Sequence, residues 1–367
     1  LFTNFKYIYV VAAPSFQQIW QAKWALRFGF FFLGLCVSAT AARMAEIKGN
    51  IGAADSIFGY SMMFVNIGAI IGNIVGPKIV TRIGTKRNFQ LLIVAVGAAQ
   101  VAQGFMNQIW QVPIMAFIAG ISYSIVGISM NTQGSMVEEG TGKSVMPTFH
   151  GAWSLGACSS SLLAGLISQH FSPSQHLLYN SIFAVVGSLA ISRALLPKSV
   201  DHHDLIQNSL VKQDEQIPPD IRKYLNTVAL FLSLALIAEG SVSDWSSILL
   251  REDFHIPVGP NTLGFTSFLI AQLTGRFAAG KLIDRFGITK VIGFAGLVGG
   301  MGYMLCLFLA ISLNKENQSA VLIALCLSYI FLGMGVSFMP AASITFAGSI
   351  PGLPTTRAVV RNSLFSS

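Results

Sequence analysis

Ionisable side chains are scarce in the long apolar stretches of this chain, so those found there are the first candidates for chemistry. Glu239 lies about midway along the apolar run 226–250. A charged group at the centre of a membrane costs about 2.5–3.5 kcal/mol to insert. A carboxyl retained at such a place can take up a proton from one side and lose it to the other, or it can be a protonated carboxyl bonded to a neighbouring helix. His150 opens another apolar run, beside Phe149 and Trp153. Imidazole is the side chain that titrates near neutrality, which suits proton coupling or substrate bonding; the alternative is a satisfied histidine at a helix end. Asp244 follows Glu239 by five residues, about 140° round a helix and ~7.5 Å along it, so the two do not form a carboxylate pair. Asp244 either joins Arg43 or Arg251 in an outer gate or meets water at the helix end. Trp245 either stacks on a ligand or anchors the helix at the membrane interface. The amides Asn66, Asn73, Asn131, Gln133 and Gln272, with Trp153, can line a polar cavity or act as glue between helices. Arg276 either snorkels to the cytoplasmic interface or pairs with Asp284.

These residues need long apolar elements to position them. A spanning helix takes about 20 apolar residues. Ten runs of that kind occur, over 24–43, 57–80, 88–106, 109–130, 147–169, 177–196, 226–250, 260–283, 289–313 and 319–340. Of the 367 residues 53% are hydrophobic and 10% are charged, with a mean hydropathy of +0.63. Soluble domains carry roughly 25% charge. The chain is therefore expected to be an all-α, multi-pass membrane protein. A net charge of +8 raises the question of nucleic acid. The positives sit in short turns on alternate loops and not in one patch, which excludes that partner. Eighteen Lys and Arg fall on one set of segments against four (Arg43, Lys48, Arg251 and Lys315) on the other, so both termini and the 81–87 turn are expected in the cytoplasm.

Two of the turns are alike. Gly280-Lys-Leu-Ile-Asp284-Arg285-Phe-Gly287-Ile-Thr-Lys290 lies between two apolar runs, and Thr81-Arg82-Ile-Gly84-Thr-Lys86-Arg87 stands 203 positions earlier between two others. Gly84 and Gly287 permit a tight turn and the positives hold it on the cytoplasmic side. Residues 197–225 form the one long polar stretch, with five acids and a Pro-Pro pair, and read as a linker between six spans and four. The same 203-residue offset relates the first span after the linker to the first span of the chain. Two six-helix repeats follow, 22–196 and 226–367, behind an N-terminal cytoplasmic segment 1–21. The second repeat has only four spans before Pro340, Pro351 and Pro354, so it is expected to be incomplete. Residues 7–14 are apolar but too short to span and lack a following cleavage pattern, so no signal peptide is expected.

The doubled Gly-x-x-x-Asp-Arg-x-Gly turn with the six-plus-linker layout resembles the major facilitator superfamily. The second copy matches well, while the first has Thr81 at the usual Asp and Pro77 at the leading Gly. The resemblance implies a major facilitator fold in which Arg82, Gly84, Lys86, Arg87, Gly280, Asp284, Arg285, Gly287 and Lys290 form cytoplasmic gating turns. Asn131-Thr-Gln-Gly, Phe149-His-Gly-Ala-Trp-Ser-Leu-Gly156 and Glu239-Gly-Ser-Val-Ser-Asp244-Trp245-Ser resemble the fucose-permease-like branch, which includes sugar–proton symporters. That branch has acids in spans one and four, and here the first span has none and Gly127 stands at the fourth-span position. The expected function is secondary active transport of a small polar, sugar-like solute, coupled to protons through Glu239 and His150. The solute would lie between Asn66, Asn73, Asn131, Trp153, Asp244, Trp245 and Gln272, in a monomer in the cell inner membrane. A truncated receptor-like or inactive membrane protein and a drug efflux transporter are the other readings. Cys36, Cys158, Cys306 and Cys326 lie in apolar runs without metal or disulfide spacing. No metal, cofactor or enzyme activity is expected, since no Walker loop, ligand cluster or nucleophile elbow occurs.

Overall fold

A computed structural model describes residues 14–143, 145–201, 219–314 and 316–339. The expectations placed on residues 1–13, on the linker centre 202–218, on Lys315 and on the stretch from Pro340 to Arg361 lie outside the described residues. Among the described residues all regular structure is helical: α1 Phe16–Ala42, α2 Met44–Ile51, α3 Asp55–Met62, α4 Phe64–Ile83, α5 Thr85–Gly104, α6 Gln111–Thr141, α7 Met146–Ile167, α8 Pro173–Ser192, α9 Pro219–Glu252, α10 Leu263–Phe286, α11 Ile288–Ser312 and α12 Gln318–Ser337. With α3 and α4 forming one rod over Asp55–Ile83, each of the ten apolar runs falls on one long helix.

Five of these rods are both long and apolar enough to cross a membrane by length and composition: α1, α3–α4, α6, α11 and α12. The other five are long enough but not apolar enough by the same measure. A helix that lines a polar space need not be apolar all round, and α7, α9 and α10 are the helices that bear the candidate site. Small residues set the closest contacts. Gly34 of α1 lies against the Trp153 backbone, and Gly156 of α7 against the Phe31 carbonyl. Gly68 of α4 meets the Phe117 carbonyl, and Gly120 of α6 meets that of Val65. The Gly68, Gly72 and Gly76 stripe thus lets α4 pack closely on α6. Leu26, Phe30, Phe89, Val126 and Phe149 belong to one buried cluster from α1–α8. Leu250, Phe265, Phe268 and Leu325 belong to another, mainly from α9–α12. Trp153 packs against both.

Polar caps shift two helix boundaries from the ends of the apolar runs. A Ser172–Gln175 capping box with Pro173 in the first turn starts α8 four residues early. That helix therefore takes in the buried His176, a second histidine within a span beside His150. Helix α6 runs eleven residues past 130. Oε1 of its Glu138 accepts from the N–H groups of Val145 and Met146 at 2.7 and 3.0 Å, capping the start of α7. The two charged turns also differ in environment. Gly84 (φ 90°) and Gly287 (φ 82°) both adopt the positive φ that glycine permits. At the first turn the Asp201 carboxylate accepts from the Thr85 N–H at 2.8 Å and hydroxyl at 2.7 Å, and Lys86 donates to the Arg193 carbonyl at 2.6 Å. Lys198 donates to the carbonyl of Arg82, while the side chains of Arg82 and Arg87 stay exposed. At the second, Gly280, Asp284, Arg285 and Lys290 are all exposed, and Arg285 lies over the Phe286 ring.

Candidate functional site

The site is built around Arg276. Its Nη2 lies 3.5 Å from Glu239 Oε2, and its Nη1 donates to Ser154 Oγ at 2.6 Å. These residues come from α10, α9 and α7, and their level is set by helix length. Each stands thirteen residues from the same end of its helix (Leu263, Glu252 and Ile167). At 1.5 Å per residue that is about 20 Å of depth, well inside a ~30 Å hydrocarbon layer. The pairing corrects the expectation for Arg276, which neither snorkels nor meets Asp284. Helix α10 continues to Phe286, which leaves Arg276 ten residues from the turn and facing α9.

Ser154 relays the contact into α7: its hydroxyl donates to the His150 carbonyl at 3.1 Å while it accepts from Arg276. The His150 ring, one turn away, is exposed, meets Phe30 edge-on at 5.3 Å and lies in the field of Arg276. Tyr123 of α6 stands in the field of both Glu239 and Arg276, close to Trp153. The Trp153 indole N–H makes no hydrogen bond of ordinary geometry. Glu239 and Arg276 each keep about a fifth of their side chain accessible, 22% and 20%. A guanidinium, a carboxylate, two aromatic rings and an imidazole from four helices thus lie in one region, with the ion pair at its centre partly accessible.

The other cavity candidates are placed differently. Asn131 is exposed on α6 towards the end that bears the two turns. Asn66 is exposed on α4, and Asn73 accepts from Ser124 of α6 at 2.6 Å, as interhelical glue does. Gln272 is fully buried, with neither polar atom bonded. Gln133 bridges α5 and the segment after α8, its amide donating to Thr85 Oγ1 at 2.7 Å and the Leu196 carbonyl at 2.9 Å. Trp245 packs on Gly59 of α3 with Met44 and Phe58 nearby, so it is a contact between the two sets of helices. Asp244 is half-buried and pairs with neither expected arginine. Arg43 instead binds Glu46 at 2.8 Å and the Phe171 carbonyl at 2.6 Å, and Arg251 donates to the Ile256 carbonyl.

The end away from the turns is held by a clasp that sequence reasoning missed. Lys48 Nζ reaches Glu252 at 2.6 Å and Asp55 at 2.6 Å, joining α2, α3 and α9. Ser247 of α9 accepts from the Ala45 N–H and donates to the Ala41 carbonyl, both at 3.3 Å. Ser161 of α7 bonds Thr266 of α10 at 2.7 Å. Burial pushes the neighbouring Glu46 carboxyl above its ordinary pKa, against the pull of Arg43 and Arg251. Towards the other end Phe277 and His150 are exposed. The two sets of helices are thus clasped at one end and bridged by Arg276 at mid-depth.

Comparison with known proteins agrees with this architecture. An uncharacterised MFS-type transporter of Yersinia pestis is 22% identical over 334 residues, covering 91% of this chain and 82% of the relative. A variant of the nucleoside transporter NupG superposes with a TM-score of 0.71 at 12% identity, and a D-xylose–proton symporter with 0.69 at 14%. Both cover 95% of this chain and 87% of theirs, and at such identities the likeness shows the fold. The family model for the Major Facilitator Superfamily matches residues 26–366, and with ten long helices in this arrangement among the described residues the chain belongs to that superfamily, as a multi-pass membrane transport protein.

Proposed function

We propose that the protein is a secondary active transporter that carries a small polar solute by alternating access, coupled to protons through Glu239 with His150 assisting. The observation that carries this reading is the Arg276 bridge. A carboxylate on α9 and a hydroxyl on α7 meet one guanidinium on α10, so the cation that bridges the two sets of helices has Glu239 as its counter-charge. Ion pairs in a membrane interior mark substrate and proton pathways. The D-xylose–proton symporter that shares the fold is consistent with such coupling.

In this reading residues 22–196 and 226–367 are the two moving halves, joined by 197–225, and the turns at Arg82–Arg87 and Gly280–Lys290 lie in the cytoplasm of a monomer in the inner membrane. The clasp at Lys48 then closes the outer face, and the form described here faces inward. Trp153, Tyr123 and Asn131 line the solute's path. In energised vesicles, Glu239→Gln is expected to abolish accumulation driven by a pH gradient while solute exchange continues. Coupled accumulation that survives this change intact rules out Glu239 as the coupling group.

A further inference from the structure

We infer that the solute is a small monocarboxylate whose carboxylate takes the place of Glu239 on Arg276. The inference rests on the proposed proton coupling and names the substrate class of that same site. With Glu239 ionised, the pair sums to zero charge. A proton on Glu239 leaves Arg276 with the Ser154 hydroxyl but without a counter-charge, on helices where an unpaired charge is costly. A planar guanidinium presents paired N–H donors that match a carboxylate bidentately. The 3.5 Å separation from Glu239 is longer than a charge-assisted hydrogen bond of ~2.7–2.9 Å, so the carboxylate it would lose is held loosely. A monoanion restores neutrality, whereas a dianion leaves an excess negative charge and a neutral sugar leaves an excess positive one. Trp153 and Tyr123 beside the pair supply aromatic faces for the remainder of the molecule.

The groups facing this pair are His150 on α7 and Tyr123 on α6. Helices α1 and α12 also pack on α9. Their titratable side chains are engaged elsewhere: Cys36 with Gln100, Arg43 with Glu46, Cys326 with Ser267, Tyr329 beside Tyr303, and Lys23 and Arg27 over Trp20 and Trp24. Lys48 on α2 is held in the clasp. The exchange is balanced: one proton binds Glu239 as one carboxylate binds Arg276, both cross, and both leave. No net charge moves.

The test is binding to the purified full chain, read as a thermal shift at acidic and alkaline pH. The probes are lactate, gluconate and glucuronate, with glycerol and glucose as neutral counterparts. At acidic pH at least one monocarboxylate is expected to stabilise the protein and its neutral counterpart is not. Towards alkaline pH wild-type affinity should fall by about tenfold per pH unit, while Glu239→Gln holds it flat. Arg276→Gln should abolish binding, and Arg276→Lys, which keeps the charge if the fold needs it, should retain weaker, pH-dependent binding. The inference is overturned if no monocarboxylate stabilises the wild type, if a neutral counterpart binds as well as its acid, or if Arg276→Gln binds unchanged. A neutral sugar still accumulated against a pH gradient, and uncoupled by Glu239→Gln, would leave the proposed transport standing while the anion falls.

Discussion

The hydroxyl of Ser154 stands between a backbone carbonyl and a cation, donating to His150 and accepting from Arg276. It therefore fixes one guanidinium nitrogen without adding charge. A hydrogen bond to a charged group contributes about 1.5–3 kcal/mol. Ser154→Ala is expected to weaken solute binding by about tenfold or more, with little change in the pH dependence, because Glu239 remains. Titration of the purified variant with the solute at two pH values checks both parts. At this scale the sequence was half legible. An acid midway along an apolar run is conspicuous, and the helical period separates Asp244 from Glu239 without any coordinates. Arg276 was misplaced because its nearness in sequence to Gly280 and Asp284 suggested the membrane surface. Which way a mid-helix side chain faces depends on neighbours far along the chain, and Ser154 lies 122 positions away.

Between elements, buried amides do what the turns alone do not. Gln133 of α6 donates to Thr85 and to the Leu196 carbonyl and accepts from the Leu196 N–H at 3.0 Å, tying α5, α6 and the exit of α8 into one unit. Gln133→Leu keeps most of the bulk but strands buried backbone groups, at about 1–3 kcal/mol for each. A clearly lowered melting temperature is the expected outcome, and an unchanged one shows that water replaces the amide. The helices themselves were visible as ten apolar runs, with ends displaced by a few residues where a polar cap decides the boundary. Ser172 and Glu138 show this best, since both begin or extend helical structure beyond the apolar run. The short α2 carries Lys48 and belongs to no long apolar run, so the element that carries the clasp was not foreseen.

At the scale of the whole molecule, the superfamily and the all-helical architecture follow from run lengths and the doubled turn. The relation between the two sets of helices does not, because it rests on contacts such as Lys48–Glu252, 204 positions apart. Reversing one charge there tests whether the contact is a gate. Lys48→Glu sets like charges against Glu252 and Asp55, and it is expected to part that face. Labelling of Ser247→Cys by a membrane-impermeant maleimide should then rise several-fold, and adding Glu252→Lys should return it towards the starting level. Unchanged labelling assigns the contact to static packing. The clasp is also not sealed from its surroundings, for the acids that hold Lys48 are 66% and 37% exposed. Mobile ions screen such charges over ~8 Å at physiological ionic strength. In the proposed cycle the electrolyte bathing that face is thereby a thermodynamic variable: a saltier medium is expected to favour the parted form, and a dilute one to keep the molecule shut on that side.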